Sequence, residues 1–242
     1  MCGIVGFVNY KQDISKYKNI LINMNNSISK RGPDEEGYYM GSHVAFGHKR
    51  LIVLDPDGGK QPMLASKPSQ LVWAKTEPTP NCPRAKTEPT PNVPLCIIYN
   101  GQIYNTKELK KTLEEKGFTF NGHSDTEILL KSYIYYGKDV VHHLNGIFAF
   151  AIWDSQKEEL FMARDHFGVK PLFYTMQNNS FIFASEIKAI FQYPGVQKIL
   201  DSQGISELFG LGPAHTPGTT VFNNIFELKP SHFAVFNRSG LH

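Results

Sequence analysis

Short apolar runs dominate the hydrophobic pattern of the chain, and most of them have the length and composition of β-strands. They are rich in Phe, Ile, Val and Tyr, and turns that carry Asn or Gly, such as residues 177–179, link neighbouring runs. This arrangement favours antiparallel pairing. The strands predicted in this way are residues 3–8, 43–48, 95–99, 146–154, 159–164, 171–175, 180–184, 219–223 and 232–237.

Three segments carry helical signals instead. Two of them begin at capping-box sequences, Asn105 with Glu108 and Ser124 with Glu127, and each is followed by a glycine that predicts the helix end. The predicted helices are residues 106–116, residues 125–136 and residues 13–29. Many strands with segregated helices predict an α+β chain.

A proline-rich stretch departs from this pattern. Residues 74–81 (AKTEPTPN) recur letter for letter as residues 85–92. Proline offers no N–H group to a sheet and biases the preceding residue toward extended geometry. We therefore predict that residues 65–94 form an extended insertion, either a tolerated surface segment or a docking or lid element.

Composition excludes several classes of protein. The chain has 242 residues, of which 41% are hydrophobic, so it can bury a core, and length allows one large domain or two small ones. A net charge of +3 gives no reason to expect a nucleic-acid partner. No apolar run approaches the ~20 residues of a membrane span, and the N-terminus lacks the features of a secretory signal, so a cytoplasmic location without membrane contact is expected.

The cysteines are sparse, and one of them is placed for chemistry. Cys2, Cys82 and Cys96 lack metal-ligand spacing, so free thiols and no metal site are expected. Removal of Met1 would leave a thiol and a free α-amine on Cys2, and the amine, with an ordinary pKa of about 7.7–8.0, can act as the base. A frayed terminus is the alternative. The apolar run at residues 3–8 argues against fraying, because a buried strand would fix the thiol in space.

Seven motifs then stand in the order found in one known family. The chain resembles class II glutamine amidotransferase domains over nearly all of its length outside residues 65–94, and most closely the N-terminal glutaminase domain of glutamine-hydrolysing asparagine synthetases. The motifs are Cys2-Gly-Ile-Val-Gly, Arg31-Gly-Pro-Asp34, His48-Lys-Arg50-Leu-Ile, Asn100-Gly-Gln-Ile-Tyr-Asn105, His123-Ser-Asp125-Thr-Glu127, Arg164-Asp-His-Phe-Gly-Val-Lys-Pro-Leu-Phe-Tyr174 and Ala184-Ser-Glu-Ile-Lys-Ala189.

The resemblance implies an N-terminal-nucleophile hydrolase fold over residues 1–242, with four αββα layers and two packed antiparallel sheets. It also implies that the Cys2 sulfur attacks the side-chain amide of L-glutamine and forms a γ-glutamyl thioester, which water hydrolyses. Asn100 and Gly101 match the family's oxyanion donors. From the residues alone, they are equally well explained as a turn that ends the predicted strand 95–99.

Substrate-binding positions follow from the same resemblance. Arg50 matches the carboxylate anchor, a task that suits a guanidinium fork. Asp125 would pair with the substrate ammonium, although a charge at a helix start is its plainer role. Gln102 stands where the family usually has Glu, so a raised KM for glutamine is expected. The backbone of Leu51, Ile52 and Val53 would lie along the substrate.

The resemblance also sets the scope of the function. The sequence holds no Ser-Gly-Gly phosphate-binding loop, so the ATP-pyrophosphatase domain is expected to be absent, and ATP and Mg²⁺ are expected only for that domain, with no cofactor for this one. The expected partners are L-glutamine and a synthetase domain or subunit that uses the ammonia to amidate aspartate. The sequence leaves open whether the chain forms a homodimer. The alternatives are an inactive regulatory or binding module of the same fold, an amidotransferase domain that serves another acceptor, and a related hydrolase that acts on a different amide.

Overall fold

A computed structural model of the chain describes residues 1–53, 55–65, 95–212 and 216–242. Twelve strands of the described residues form two six-stranded antiparallel sheets. The first sheet has the order β10-β8-β9-β1-β3-β2 and the second the order β12-β11-β7-β6-β5-β4. The strands are β1 Gly3–Asn9, β2 Glu35–Met40, β3 Val44–Arg50, β4 Met63–Ala65, β5 Leu95–Ile103, β6 Gly146–Asp154, β7 Glu159–Arg164, β8 Phe173–Gln177, β9 Ser180–Ala184, β10 Phe226–Glu227, β11 Phe233–Asn237 and β12 Gly240–Leu241.

The two sheets pack face to face, and helices cover their outer faces. Ile4, Phe46, Ile98 and Phe183 belong to the apolar core between the sheets, and separate apolar clusters lie beneath the helices on each side. The predicted α+β fold class, with four αββα layers, is therefore confirmed. The helices are α1 Lys18–Ser27, α2 Thr106–Glu115, α3 Asp125–Tyr136, α4 Ile187–Ile190 and α5 Ser202–Leu211, with 3₁₀ turns at Ser15–Tyr17, Ser29–Arg31 and Gly137–His143.

Of the two predicted capping boxes, one supplies a side-chain cap in the structure and the other does not. The Ser124 hydroxyl accepts a hydrogen bond from the Thr126 N–H group at the start of α3, as predicted. Asn105 does not cap α2, so that capping-box prediction is wrong. Its side chain instead donates to the His143 carbonyl and accepts from the Asn145 N–H group. A contact across the fold therefore replaced the local cap.

Several elements differ from the sequence prediction. The segment 219–223 is not a strand and contributes one isolated bridge, Leu200 with Phe222. The short edge strands β2, β4, β10 and β12 were not predicted, because their polar or very short sequences carry little strand signal without their partners. Helix α5 was also missed, since its glycines lower its helix propensity. Ala65, predicted to open the proline-rich insertion, is the last residue of β4.

Residues 66–94 of that predicted insertion, and Cys82 within it, lie outside the described residues. Cys2 and Cys96 are free thiols, as expected. No helix within the described ranges is long and apolar enough to cross a bilayer.

Candidate active site

The pairing of β1 with β3 fixes the position of Cys2. These strands run antiparallel with Gly3 opposite Lys49, so Cys2, just before β1, lies at the level of the end of β3. The Cys2 Sγ atom lies 3.4 Å from the Leu51 N atom and 3.6 Å from the Leu51 carbonyl oxygen. Arg31 Nε donates to the Cys2 carbonyl at 2.9 Å. The nucleophile candidate is therefore held by backbone on one side and by a guanidinium on the other.

Opposing influences act on the Cys2 thiol. Burial raises its pKa, because an apolar environment disfavours the thiolate. The Leu51 N–H group, the ammonium group of Met1 and Arg50 lower the pKa of the Cys2 thiol, while Asp125 raises it. The net direction is upward, so the resting cysteine is held mainly as the thiol and needs a base to become the attacking thiolate.

Strand β5 brings Asn100 and Gly101 to the same place from the other sheet. The strand does not end at Tyr99; it continues to Ile103, with Asn100 opposite Ala149 and Gly101 opposite Phe148 on β6. The prediction of a turn at Asn100 and Gly101 is therefore wrong. Pairing with β6 holds both residues in the strand, and the local sequence gives no information about this pairing.

Asn100 has an unusual hydrogen-bonding state. The residue is 1% exposed, and its Nδ2 atom is buried without a hydrogen-bond partner among the described residues. An unsatisfied buried donor costs about 1–3 kcal/mol, so such groups are rare in folded proteins. The Asn100 amide is therefore available to donate to a group that enters the site.

Gly101 admits no side chain in this strand. A Cβ atom at this position would lie 2.3 Å from the Ile147 carbonyl oxygen and 2.8 Å from the Phe148 Cα atom. Both obstacles belong to the backbone of the paired strand and cannot move away cheaply. Glycine here is thus required by the close approach of β6.

Cys2, Asn100 and Gly101 line one cavity of about 170 Å³. This is smaller than the roughly 300–1,000 Å³ of a drug-sized site and suits a ligand of amino-acid size. Of the predicted site residues, Ile52 alone is absent from the wall, and its N–H group donates to Asp34 Oδ2 at 2.8 Å. The wall is formed by Met1, Cys2, Arg50, Leu51, Val53, Gly59, Gln61, Tyr99, Asn100, Gly101, Gln102, Ser124, Asp125, Thr126, Ile147 and Lys170.

Arg50 reaches the cavity with its guanidinium already engaged. Its Nη1 atom contacts Glu35 Oε2 at 2.6 Å and the Pro56 carbonyl at 2.7 Å, and its Nη2 atom donates to the Asp55 carbonyl at 2.6 Å. The Arg50 side chain is 5% exposed. A ligand carboxylate that binds Arg50 would therefore join or replace the carboxylate of Glu35.

Tyr99 connects the strand to the start of α3. Its hydroxyl donates to Asp125 Oδ2 at 2.7 Å, and its backbone N–H donates to Gln61 Oε1 at 2.6 Å. His48 Nε2 lies 3.1 Å from the Tyr99 carbonyl oxygen. The residue next to Asn100 is thus fixed by side chains from three other parts of the chain.

The charges of these supporting groups follow from burial. Burial lowers the pKa of His48 to about 3, so the ring is neutral at neutral pH and donates to Tyr99. Burial also raises the pKa of Asp125, although the Tyr99 hydroxyl and nearby backbone N–H groups oppose this shift. A cationic ligand group beside Asp125 would therefore favour its ionised form. Gln102, by contrast, is an exposed neutral side chain at the rim.

Sequence reasoning missed several wall residues. Gln61, Tyr99 and Thr126 carry no local signal, because their roles depend on contacts between distant segments. Lys170 stands within the motif 164–174 together with Arg164 and Asp165, and nothing in its local pattern separates its role from theirs. Arg164 does pair with Glu227 at 2.8 Å, and Asp165 accepts backbone hydrogen bonds, but the Lys170 side chain lines the cavity.

Comparison with known proteins identifies the family. Residues 1–75 and 87–242 match the family described as "Glutamine amidotransferase domain". The chain belongs to this glutamine amidotransferase family. The resemblance noted in the sequence, and the fold class expected from it, are confirmed.

Two curated relatives of this amidotransferase domain are asparagine synthetases of Bacillus subtilis. "Asparagine synthetase [glutamine-hydrolyzing] 3" is 45% identical over 241 residues, which cover 100% of this chain and 36% of the relative. "Asparagine synthetase [glutamine-hydrolyzing] 2" is 35% identical over 243 residues, which cover 98% of this chain and 29% of the relative. The chain thus spans about a third of the length of these relatives.

A solved structure shares the fold. Glutamine phosphoribosylpyrophosphate amidotransferase from B. subtilis superimposes with a TM-score of 0.64 at 20% sequence identity, covering 100% of this chain and 48% of that one. At this identity, the similarity supports the two-sheet architecture alone.

Proposed function

We propose that this domain hydrolyses the side-chain amide of L-glutamine to glutamate and ammonia, with Cys2 as the nucleophile. The observation that carries the proposal is the buried Nδ2 atom of Asn100, which has no partner and shares a cavity wall with Cys2. A donor kept unsatisfied beside a nucleophile suits an oxyanion that exists only during the reaction.

The proposed reaction uses the terminal residue twice. Removal of Met1 frees the Cys2 α-amine and opens the part of the cavity wall that Met1 occupies. The amine takes the thiol proton while Sγ attacks the amide carbon, and the oxyanion accepts hydrogen bonds from Asn100 and the Gly101 N–H group. Collapse breaks the C–N bond, and the proton passes to the departing nitrogen as ammonia forms. Water then attacks the thioester and releases glutamate, with the thiol restored.

The remaining wall residues supply groups for the amino-acid end of the substrate. Arg50 is proposed to bind the α-carboxylate, and Asp125 and Gln102 the ammonium, with the backbone of Leu51 and Val53 alongside. A half-buried carboxylate, Asp125, and a buried guanidinium, Arg50, in one small cavity support a zwitterionic ligand.

We further propose that a synthetase domain or subunit receives the ammonia and amidates aspartate. The support is that the curated relatives are named glutamine-hydrolysing asparagine synthetases and are longer than this chain. No step proposed for this domain requires a cofactor, and ATP and Mg²⁺ are assigned to the synthetase part. A reducing, cytosolic location suits a free nucleophilic thiol.

A glutaminase assay combined with covalent trapping tests the proposal. Purified protein should release ammonia from L-glutamine, lack Met1 by intact mass, and be modified at Cys2 by a glutamine-like diazo-ketone. Cys2→Ala should abolish both turnover and modification, whereas Cys96→Ala, a change at a buried thiol in the core between the sheets, should keep turnover. Undiminished turnover in Cys2→Ala would overturn the proposal.

A second candidate, a binding module without turnover, draws support from the engaged state of Arg50. The contact with Glu35 leaves the proposed carboxylate anchor paired at rest. The same assay separates the candidates, because a binding module would bind glutamine in calorimetry without releasing ammonia.

A further inference from the structure

Lys170 is a buried cation whose position the proposed reaction does not yet explain. Its side chain lines the cavity together with Met1 and Cys2, and the residue is 8% exposed. Among the described residues, the only hydrogen-bond partner of its Nζ atom is the Met1 Sδ atom, at 3.2 Å. A thioether is a weak acceptor, so this contact does not compensate the burial of an ammonium group.

Lys170 is held at this position by its own loop. Asp165 accepts hydrogen bonds from the backbone N–H groups of Phe167, Val169 and Lys170, and the Lys170 carbonyl accepts from Arg164 Nε at 2.8 Å. The Asp165 carboxylate is thus occupied by backbone donors and forms no ion pair with the lysine. The ammonium is directed toward the cavity while the carboxylate of the same loop stabilises the turn.

Lys170 is one of three cations near the terminal residue. Arg31, after α1, donates to the Cys2 carbonyl, and Arg50 ends β3 and lines the same wall. The acidic group that faces Cys2 from α3 is Asp125, and Tyr99 of β5 contributes a neutral phenol. Glu186 neutralises part of the Arg31 charge at 3.1 Å, but it also pairs with Lys188.

Nearby positive charge has a definite effect on both groups of an N-terminal cysteine. It disfavours the protonated amine and favours the thiolate, so both pKa values fall. Burial and Arg31 lower the pKa of Lys170 itself, while the negative charges of Asp165 and of a Cys2 thiolate raise it, so the charge state of Cys2 acts on the lysine.

We propose that the Lys170 ammonium tunes Cys2, keeping the α-amine of the processed enzyme unprotonated near neutral pH and favouring the thiolate. Lys170 takes no part in the bond changes. Its charge acts on the amine and thiol of Cys2, so it is a positioning residue. This inference rests on the proposed function, because it concerns the base that the reaction uses.

The sign of the effect makes the proposal testable. Without the charge, the α-amine returns toward its ordinary pKa, so the acidic limb of kcat/KM for L-glutamine moves to higher pH. The thiol pKa rises as well, so the pH midpoint for alkylation of Cys2 by neutral iodoacetamide also moves up. For one like charge across a small, partly solvated cavity, we expect shifts of about 0.5–1 unit.

The experiment compares two variants with one control. Lys170→Met should shift both pH profiles upward, and Lys170→Arg should restore them. Lys107→Met removes an equal charge from the exposed face of α2 and should shift neither profile. Lys170→Gln is a second neutral variant if the Met variant does not fold, and peptide mass mapping assigns alkylation to Cys2.

The outcomes separate this inference from the proposed function. Unshifted profiles in Lys170→Met, or equal shifts in the Met and Arg variants, overturn the tuning role. Absence of glutaminase activity in the wild type overturns the proposed function instead. In that case the alkylation midpoint still tests the effect of Lys170 on the thiol.

Discussion

Asn100 and Arg50 line the same cavity, yet their polar groups are in different states. Asn100 holds a buried amide nitrogen without a partner, whereas the Arg50 guanidinium is surrounded by Glu35 and two backbone carbonyls. A donor for a short-lived oxyanion works best when it is unpaired in the resting protein, because it then breaks no hydrogen bond before it donates. A group meant for a permanent ligand charge can exchange one carboxylate for another.

The sharpest way to break this comparison is to remove the unpaired donor. Asn100→Ala should lower kcat by about 10²–10³-fold, the usual loss for one oxyanion donor. Its stability should change little, because the deleted nitrogen makes no hydrogen bond. Steady-state kinetics and urea unfolding measure the two effects.

Asn9→Ala is the matched control. Asn9 is equally buried, but its side chain bonds to Ser180 and to the backbone of Lys11 and Gln12. This variant should lose about 1–3 kcal/mol of unfolding free energy and keep kcat. If both asparagine variants lose stability alike and keep kcat, the unpaired nitrogen has no catalytic role.

The Arg50 side of the comparison is tested by freeing the guanidinium from its carboxylate. Glu35→Gln keeps a hydrogen-bond acceptor but removes the competing charge, so KM for L-glutamine should fall by about threefold to tenfold. Glu36→Gln removes the same charge from the next residue of β2, where it pairs with Lys49, and should leave KM unchanged. An unchanged KM in Glu35→Gln would indicate that the substrate carboxylate binds elsewhere.

The smallest expected effect concerns the rim. Gln102→Glu adds a charge that can pair with the substrate ammonium, and KM should fall by about twofold to fivefold because an exposed ion pair contributes little. Gln156→Glu, in the turn between β6 and β7, is the control for net charge. A KM that does not respond to Gln102→Glu would contradict the expectation that neutral Gln102 weakens substrate binding.

The elements that sequence reasoning predicted well are those whose own pattern decides their structure. Apolar runs such as 146–154 and 180–184 became β6 and β9 with the predicted bounds. Strands such as β2 and β4 were missed because pairing with a neighbour, rather than their own residues, makes them strands. Asn105 shows the same limit, since a contact with His143 and Asn145 replaced the cap that its sequence predicted.

For the candidate site, the sequence alone pointed to the residues that are proposed to carry the chemistry, and the tertiary structure decided what state each is in. The motifs predicted Cys2 as a nucleophile, Asn100 as a donor and Arg50 as an anchor. Only the packing of the two sheets decided that the donor is unpaired, that the anchor is already paired and that Lys170 points into the cavity. The physical reason is that residue type fixes which bonds a side chain can make, whereas burial and partners from distant segments fix which of those bonds are made.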